Sequence, residues 1–259
     1  LSLRRQRQMC IRDSFKIIYN QKLFILDIFN LSQESLWLLT VVYDLGLALL
    51  LYRFFGKYGL YVAVVLGIVL GNLQGGKVSE LVIFGTAYKV SMGAILYSGI
   101  YFATDVLNEK YGRAEANRAV MLGFVAIIGV MITLVISVQF KPSEITGSAL
   151  EVHNAISTLA FYSPAFVIGS LTAYLVSQSF DVWFFNWLKQ KTNGSKLWLR
   201  NNLSTMTSQL IDTFIYQFTW VIATGMDWST AFMLAMTKYV FKVLIAAIDT
   251  IFIYWVKKW

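Results

Sequence analysis

A single cysteine and a single histidine occur in 259 residues. Cys10 therefore cannot take part in a disulfide framework within the chain, and His153, with no Cys or His neighbour, gives a zinc site nothing to draw on. Charge is also scarce. Asp, Glu, Lys and Arg make up 14% of the chain against 57% hydrophobic residues, well above the roughly 45–50% apolar content of soluble domains. That balance excludes an ordinary soluble domain and makes the bilayer the expected solvent. The apolar stretches hold no free cysteine, no histidine pair and no Gly-x-Ser-x-Gly, so an intramembrane enzyme lacks its nucleophile or metal set. No metal, no cofactor and no enzymatic activity are expected. The run Gly71-Asn-Leu-Gln-Gly-Gly-Lys77 has the spacing of a phosphate-binding loop, but Val78 stands where the magnesium-binding hydroxyl belongs. It also ends an apolar helix rather than joining a strand to one. The net charge of +8 lies mostly in short loops between apolar runs, which argues against a nucleic-acid partner.

What is abundant is apolar and aromatic. Aromatic residues reach 16%, with 8 Trp and 14 Tyr, side chains whose apolar body and polar tip suit a membrane interface. A helix needs roughly 20 apolar residues to cross a bilayer. Seven stretches approach that length: Leu36 to Tyr52, Tyr58 to Leu73, Val90 to Leu107, Ala119 to Phe140, Ser157 to Val176, Ser204 to Thr224 and Trp228 to Trp255. The expected fold is an all-α integral membrane protein of about seven transmembrane helices. Gly75 to Lys89 reads as a loop or re-entrant piece, and Gly67 and Gly71, one turn apart, mark a surface for close helix packing.

Lys and Arg set the orientation. One side carries Arg53 and Lys57, then Lys110, Arg113 and Arg118, then Lys189, Lys191, Lys196 and Arg200, then Lys257 and Lys258; the other carries Lys77, Lys89 and Lys141. The first side is expected to be cytoplasmic, with the C-terminus inside. The opening LSLRRQRQMCIRDS conflicts with that rule and, interrupted by Asp13 and Lys16, is no signal peptide. It resembles a translated adapter and is read as foreign, without a part in folding. The chain thus divides into a basic segment at 1–34, an extra helix at 35–57 and a core at 58–259.

An ionisable side chain at mid-membrane needs a partner or a water-lined cavity, because insertion there costs roughly 2.5–3.5 kcal/mol for Asp or Lys. Asp105, Asn108 and Glu109 fall on one helical face at i, i+3 and i+4. Thr205, Gln209 and Asp212 repeat the pattern, with Asn202 one turn further on. Lys242 and Asp249 share a stripe but lie about two turns apart, so Lys242 is expected to meet a carboxylate of another helix, either Asp212 or Asp105. Asp44 has no polar companion on its face and is assigned to helix packing.

At these residues the chain resembles a known family. Tyr101-Phe-Ala-Thr-Asp-Val-Leu-Asn-Glu-Lys-Tyr-Gly112, Ser177-Gln-Ser-Phe-Asp-Val-Trp-Phe-Phe185, Leu197-Trp-Leu-Arg-Asn-Asn-Leu-Ser-Thr205, Ser208-Gln-Leu-Ile-Asp212 and Phe241-Lys-Val-Leu-Ile245 are similar to the queuosine precursor transporter family, also called the vitamin uptake transporter family. The resemblance covers the chain from about Tyr58 and implies a six-helix transporter core plus one extra N-terminal helix. It further implies import of 7-cyano-7-deazaguanine or its aminomethyl relative across the bacterial cytoplasmic membrane. The alternative is a substrate-capture subunit for another vitamin or nucleobase-like compound. A carboxylate can accept the paired N–H donors of a deazaguanine, while Asn, Gln or Lys donates to its carbonyl. Asp105, Asn108, Glu109, Asn202, Gln209, Asp212, Lys242 and Asp249 are the candidate substrate-binding residues. The expected partners are this small molecule and the lipid bilayer; homo-oligomerisation, the precursor preferred and proton coupling stay open.

Overall fold

The computed structural model describes residues 31–83, 85–143, 148–161 and 164–258. The basic opening segment, with Cys10, lies outside the described residues save for its last few. Eight helices are described: α1 Gln33–Phe55, α2 Lys57–Leu73, α3 Met92–Tyr111, α4 Arg113–Val138, α5 Ala149–Ala160, α6 Pro164–Lys191, α7 Leu197–Thr224 and α8 Trp228–Lys257. One antiparallel hairpin, β1 Val78–Ile83 and β2 Thr86–Ser91, joins α2 to α3.

The helix ends follow from local chemistry. Ser32 caps α1, accepting from the Ser35 backbone N–H at 3.2 Å, and Asp227 caps α8 by accepting from Ser229 and Thr230. The Ser229 hydroxyl and the Thr230 N–H hold the Asp227 carboxyl below its usual range. Gly112 and Gly225, at φ 88° and 67°, terminate α3 and α7 in backbone that L side chains disfavour.

Three helices, α1, α4 and α8, are long and apolar enough to cross a membrane by themselves, and α2 is a shorter apolar helix. On α4, Val125, Ile132 and Ile136 are exposed, a face suited to hydrocarbon rather than water. The interior combines an apolar core, with Leu45, Leu60, Ile100 and Phe185 in it, and a set of buried polar residues. α3 is the central helix, buried without interruption from Ser98 to Asn108 and packed against α1, α2, α4, α6 and α8.

Small residues let α3 approach so closely. A methyl group built on Gly67 would stand 2.6 Å from the Ile100 side chain, and one on Gly93 would stand 2.1 Å from the Gly71 carbonyl oxygen. The Gly67 and Gly71 pair thus serves contact between α2 and α3. Asp44 ties α1 to α3 by accepting from the Gly99 N–H at 2.8 Å and the Ser98 hydroxyl at 3.2 Å.

The structure corrects the expected elements in three places. The stretch read as a loop or re-entrant piece is the hairpin: Ser79, Leu81, Tyr88 and Val90 face inward, while Glu80 pairs with Lys89 on the outer face. This alternation is the period-2 signature of a half-buried strand. Leu81 and Val90 pack on Phe241 of α8, with Trp37 and Tyr88 beside them. The stretch Ser157 to Val176 is not one span, because α5 closes at Ala160 and α6 opens at Pro164. Proline has no N–H to give an earlier turn and suits the first turn of a helix. In addition, α7 begins at Leu197, two turns before the apolar run, which brings Arg200 and Asn202 into the helix.

Candidate functional site

A cavity of about 360 Å³ lies among α2, α3, α6, α7 and α8, within the roughly 300–1,000 Å³ typical of small-molecule sites. Near the middle of their helices, Asp212 of α7 and Lys242 of α8 form a buried ion pair on its wall. The Ser177 hydroxyl of α6 donates to the other Asp212 oxygen at 3.4 Å, and Tyr101 of α3 donates to Ser177 at 3.1 Å. The carboxylate is therefore oriented from three helices besides its own.

A hydrogen-bonded triangle of Asn72, Tyr97 and Ser170 also lines the cavity. Asn72 donates to the Tyr97 hydroxyl at 3.2 Å, Ser170 donates to the Asn72 side-chain carbonyl at 2.9 Å, and Tyr97 and Ser170 lie 3.3 Å apart. Thr213, Tyr216 and Lys238 line it as well, and Lys77 lies at the hairpin side. Lys238 donates to Gln217 at 3.3 Å and sits over the rings of Tyr216 and Trp220. These groups offer a flat polar molecule a carboxylate acceptor, amide and hydroxyl partners and two aromatic faces.

Beyond the ion pair, toward the end with Lys189 and Arg200, lies a buried polar layer. Asp105 accepts from Thr205 at 3.1 Å, Asp181 from Ser208 at 2.9 Å and Asp249 from Asn201 at 2.8 Å. Asn108 donates to the Val182 carbonyl at 2.8 Å. Glu109 closes the layer, accepting from Arg200 at 2.6 Å and pairing with Lys189 at 3.3 Å. Arg200 is fully buried and also donates to the Ser195 carbonyl at 2.6 Å. One buried oxygen or nitrogen on each of Asn108, Gln178, Arg200 and Asn201 has no hydrogen-bond partner among the described residues, and Asp105 and Asp181 interact directly.

The sequence-derived candidates thus separate. Asp212 and Lys242 meet on the cavity wall. Gln209 and Asp249 line a narrow recess beside Lys242. Asp105, Asn108 and Glu109 point their hydrogen bonds into the polar layer, and Asn202, half buried, donates to Thr250 at 2.6 Å. Sequence reasoning passed over Lys238, although it stands four residues before Lys242 and so on the same helical stripe. It also passed over Asn72, Tyr97 and Ser170, whose types are too common in apolar helices to signal a site. Asp181 and Ser177 were visible in the quoted motif, four residues apart. Among the described residues, no group of His, Cys, Asp and Glu side chains is placed to hold a metal ion.

Known proteins share this sequence pattern. Residues 91–256 match the family described as "Putative vitamin uptake transporter". The chain is 39% identical over 186 residues to the "Probable queuosine precursor transporter" of Bacillus subtilis, an alignment covering 71% of this chain and 77% of that protein. It is 27% identical over 131 residues to the Haemophilus influenzae protein of the same name, covering 50% of this chain and 51% of the relative. No solved structure matches.

The Glu109 cluster makes a direct prediction about stability. Glu109→Ala strands the buried Arg200 guanidinium, a loss of about 3–5 kcal/mol for a broken buried pair, whereas Glu109→Ala combined with Arg200→Met removes both charges. Thermal unfolding in detergent should show a large drop for the single change and recovery of most of it in the double. Equal drops for both would mean that the pair contributes through packing alone.

Proposed function

Because the chain belongs to the vitamin uptake transporter family, we propose that it imports a queuosine precursor, 7-cyano-7-deazaguanine or its aminomethyl relative, across the bacterial cytoplasmic membrane. The relatives' names support the substrate, and the Asp212–Lys242 pair on the cavity wall is the observation that carries the site. In this reading α1 to α4 and α6 to α8 span the membrane, seven in all, and the 12-residue α5 is too short to do so. The ends carrying Lys57, Arg113, Lys191 and Lys257 face the cytoplasm, and with them the C-terminus.

Function follows from the placement of charge. Lys242 pairs with Asp212 and aims it, so that Asp212 can accept the adjacent N–H groups of a deazaguanine in bidentate fashion. Asn72 and Ser170 stand where polar edges of the ring would be met, and Tyr97 and Tyr216 offer faces for the heterocycle. Toward the cytoplasm, the polar layer and the Glu109–Arg200–Lys189 cluster close the path. Transport then requires the cavity to close on one side as this cluster opens on the other, in alternating access about a fixed site. No hydrolysis enters this scheme.

Orientation is checked with single cysteines at Ser195 and Ser148 in a Cys10→Ser background. In intact cells a membrane-impermeant thiol reagent should label position 148 and spare 195; the reverse pattern would invert the topology. The site is checked with Asp212→Asn, Lys242→Met and the double change. Asp212→Asn offers a donor where the substrate also donates, so uptake of labelled 7-cyano-7-deazaguanine should fall at least tenfold with the protein still folded. The double change should match the folded yield of the native chain without recovering uptake. Normal uptake by Asp212→Asn would make the pair a scaffold.

A further inference from the structure

Among the described residues, the charges that line the cavity do not balance. Four of those residues, tyrosines aside, are ionisable: Lys77, Asp212, Lys238 and Lys242. Asp212, the one carboxylate among them, is taken by Lys242. Lys238 lies one helical turn from Lys242 on the same stripe of α8, and among the described residues no carboxylate stands within ion-pair distance of it. Its polar contacts are the Gln217 carbonyl at 3.3 Å and the faces of Tyr216 and Trp220, with ring centroids at 5.3 and 5.8 Å. A carbonyl and two π-faces hold and aim an ammonium without cancelling its charge. Lys77, at the hairpin side, has no carboxylate partner among the described residues either.

We propose that Lys238 makes the site selective for the charge of the substituent at C7 of a deazaguanine, admitting a neutral nitrile or an anionic carboxylate and rejecting an ammonium. This rests on the substrate reading given above and narrows it. With Asp212 committed to the N–H edge of the ring and neutralised by Lys242, an incoming aminomethyl group, protonated at neutral pH, finds cations and no free anion. Two unit charges about 6 Å apart repel at an effective dielectric constant of about 20 strongly enough to weaken binding about a hundredfold. A nitrile nitrogen or a carboxylate instead accepts a hydrogen bond from the Lys238 ammonium. Selectivity built on rejection is how related ligands that share a ring are separated.

The test is displacement of labelled 7-cyano-7-deazaguanine from the purified full-length protein at pH 7. The competitors are unlabelled 7-cyano-, 7-carboxy- and 7-aminomethyl-7-deazaguanine. The native chain should bind the aminomethyl compound at least tenfold more weakly than the cyano compound, and the carboxy compound no more weakly than the cyano compound. Lys238→Gln should narrow the aminomethyl gap to about threefold or less and weaken the carboxy compound, while Lys238→Arg, which keeps the charge, should preserve the native order. Size-exclusion profiles of both variants show that the fold is retained. Equal binding of cyano and aminomethyl compounds by the native chain, or a gap that Lys238→Gln leaves untouched, overturns the proposal. Failure of labelled 7-cyano-7-deazaguanine to bind at all is a different result: it removes the substrate reading, and this inference with it.

Discussion

A lysine and an aspartate placed midway along two apolar helices must find each other, or each must find water. Removing a charge from water costs several kcal/mol even after relaxation, and breaking such a pair leaves the survivor uncompensated. The contact of Lys242 with Asp212 therefore fixes how α7 and α8 face one another. The helices around them follow. Ser177 reaches Asp212 from α6, and Tyr101 reaches Ser177 from α3, so one ion pair sets the rotation of four helices. A pair this constrained adds little net stability compared with apolar side chains of the same volume. On the proposed function, its value lies in a pre-aimed carboxylate that a ligand can use without reorganising the site.

Around that pair, apolar side chains cover the outer face, as on α4, and a set of polar ones lies within the apolar core. The polar layer of Asp105, Asp181, Asp249, Asn108 and Asn201 is paired largely across helices, and Gly67, Gly71 and Gly93 let α2 approach α3 closely. Hydrophobic contact alone drives little association between helices when lipid is equally apolar. Directional polar contacts and small-residue packing supply specificity instead.

Much of this was legible from residue order, for uneven physical reasons. The helices α1, α2, α4 and α8 are long apolar runs, and their expected limits agree with the structure to within a few residues at most ends. The pairing of Lys242 with a carboxylate from another helix followed from energetic necessity. The hairpin was not legible, since Val78–Ile83 reads Val-Ser-Glu-Leu-Val-Ile, without apolar–polar alternation, and lies between two apolar helices. Pro164 was the available signal for the break between α5 and α6, outweighed by the apolar residues on either side. Arg200 was counted as a loop charge because charge counting is blind to a buried guanidinium held by Glu109. On the cavity wall, Asn72, Tyr97 and Ser170 are residues that only the tertiary packing of α2, α3 and α6 brings together.

On the proposed function the substrate occupies the cavity beside Asp212 and Lys242. Ala94 lines both this cavity and the recess next to Lys242, and cysteine there adds a single atom. In a Cys10→Ser background, alkylation of Ala94→Cys by N-ethylmaleimide should slow at least tenfold in saturating 7-cyano-7-deazaguanine, with half-protection at the concentration that half-saturates uptake. An alkylation rate unchanged by ligand, in protein that still takes the compound up, would place the site elsewhere.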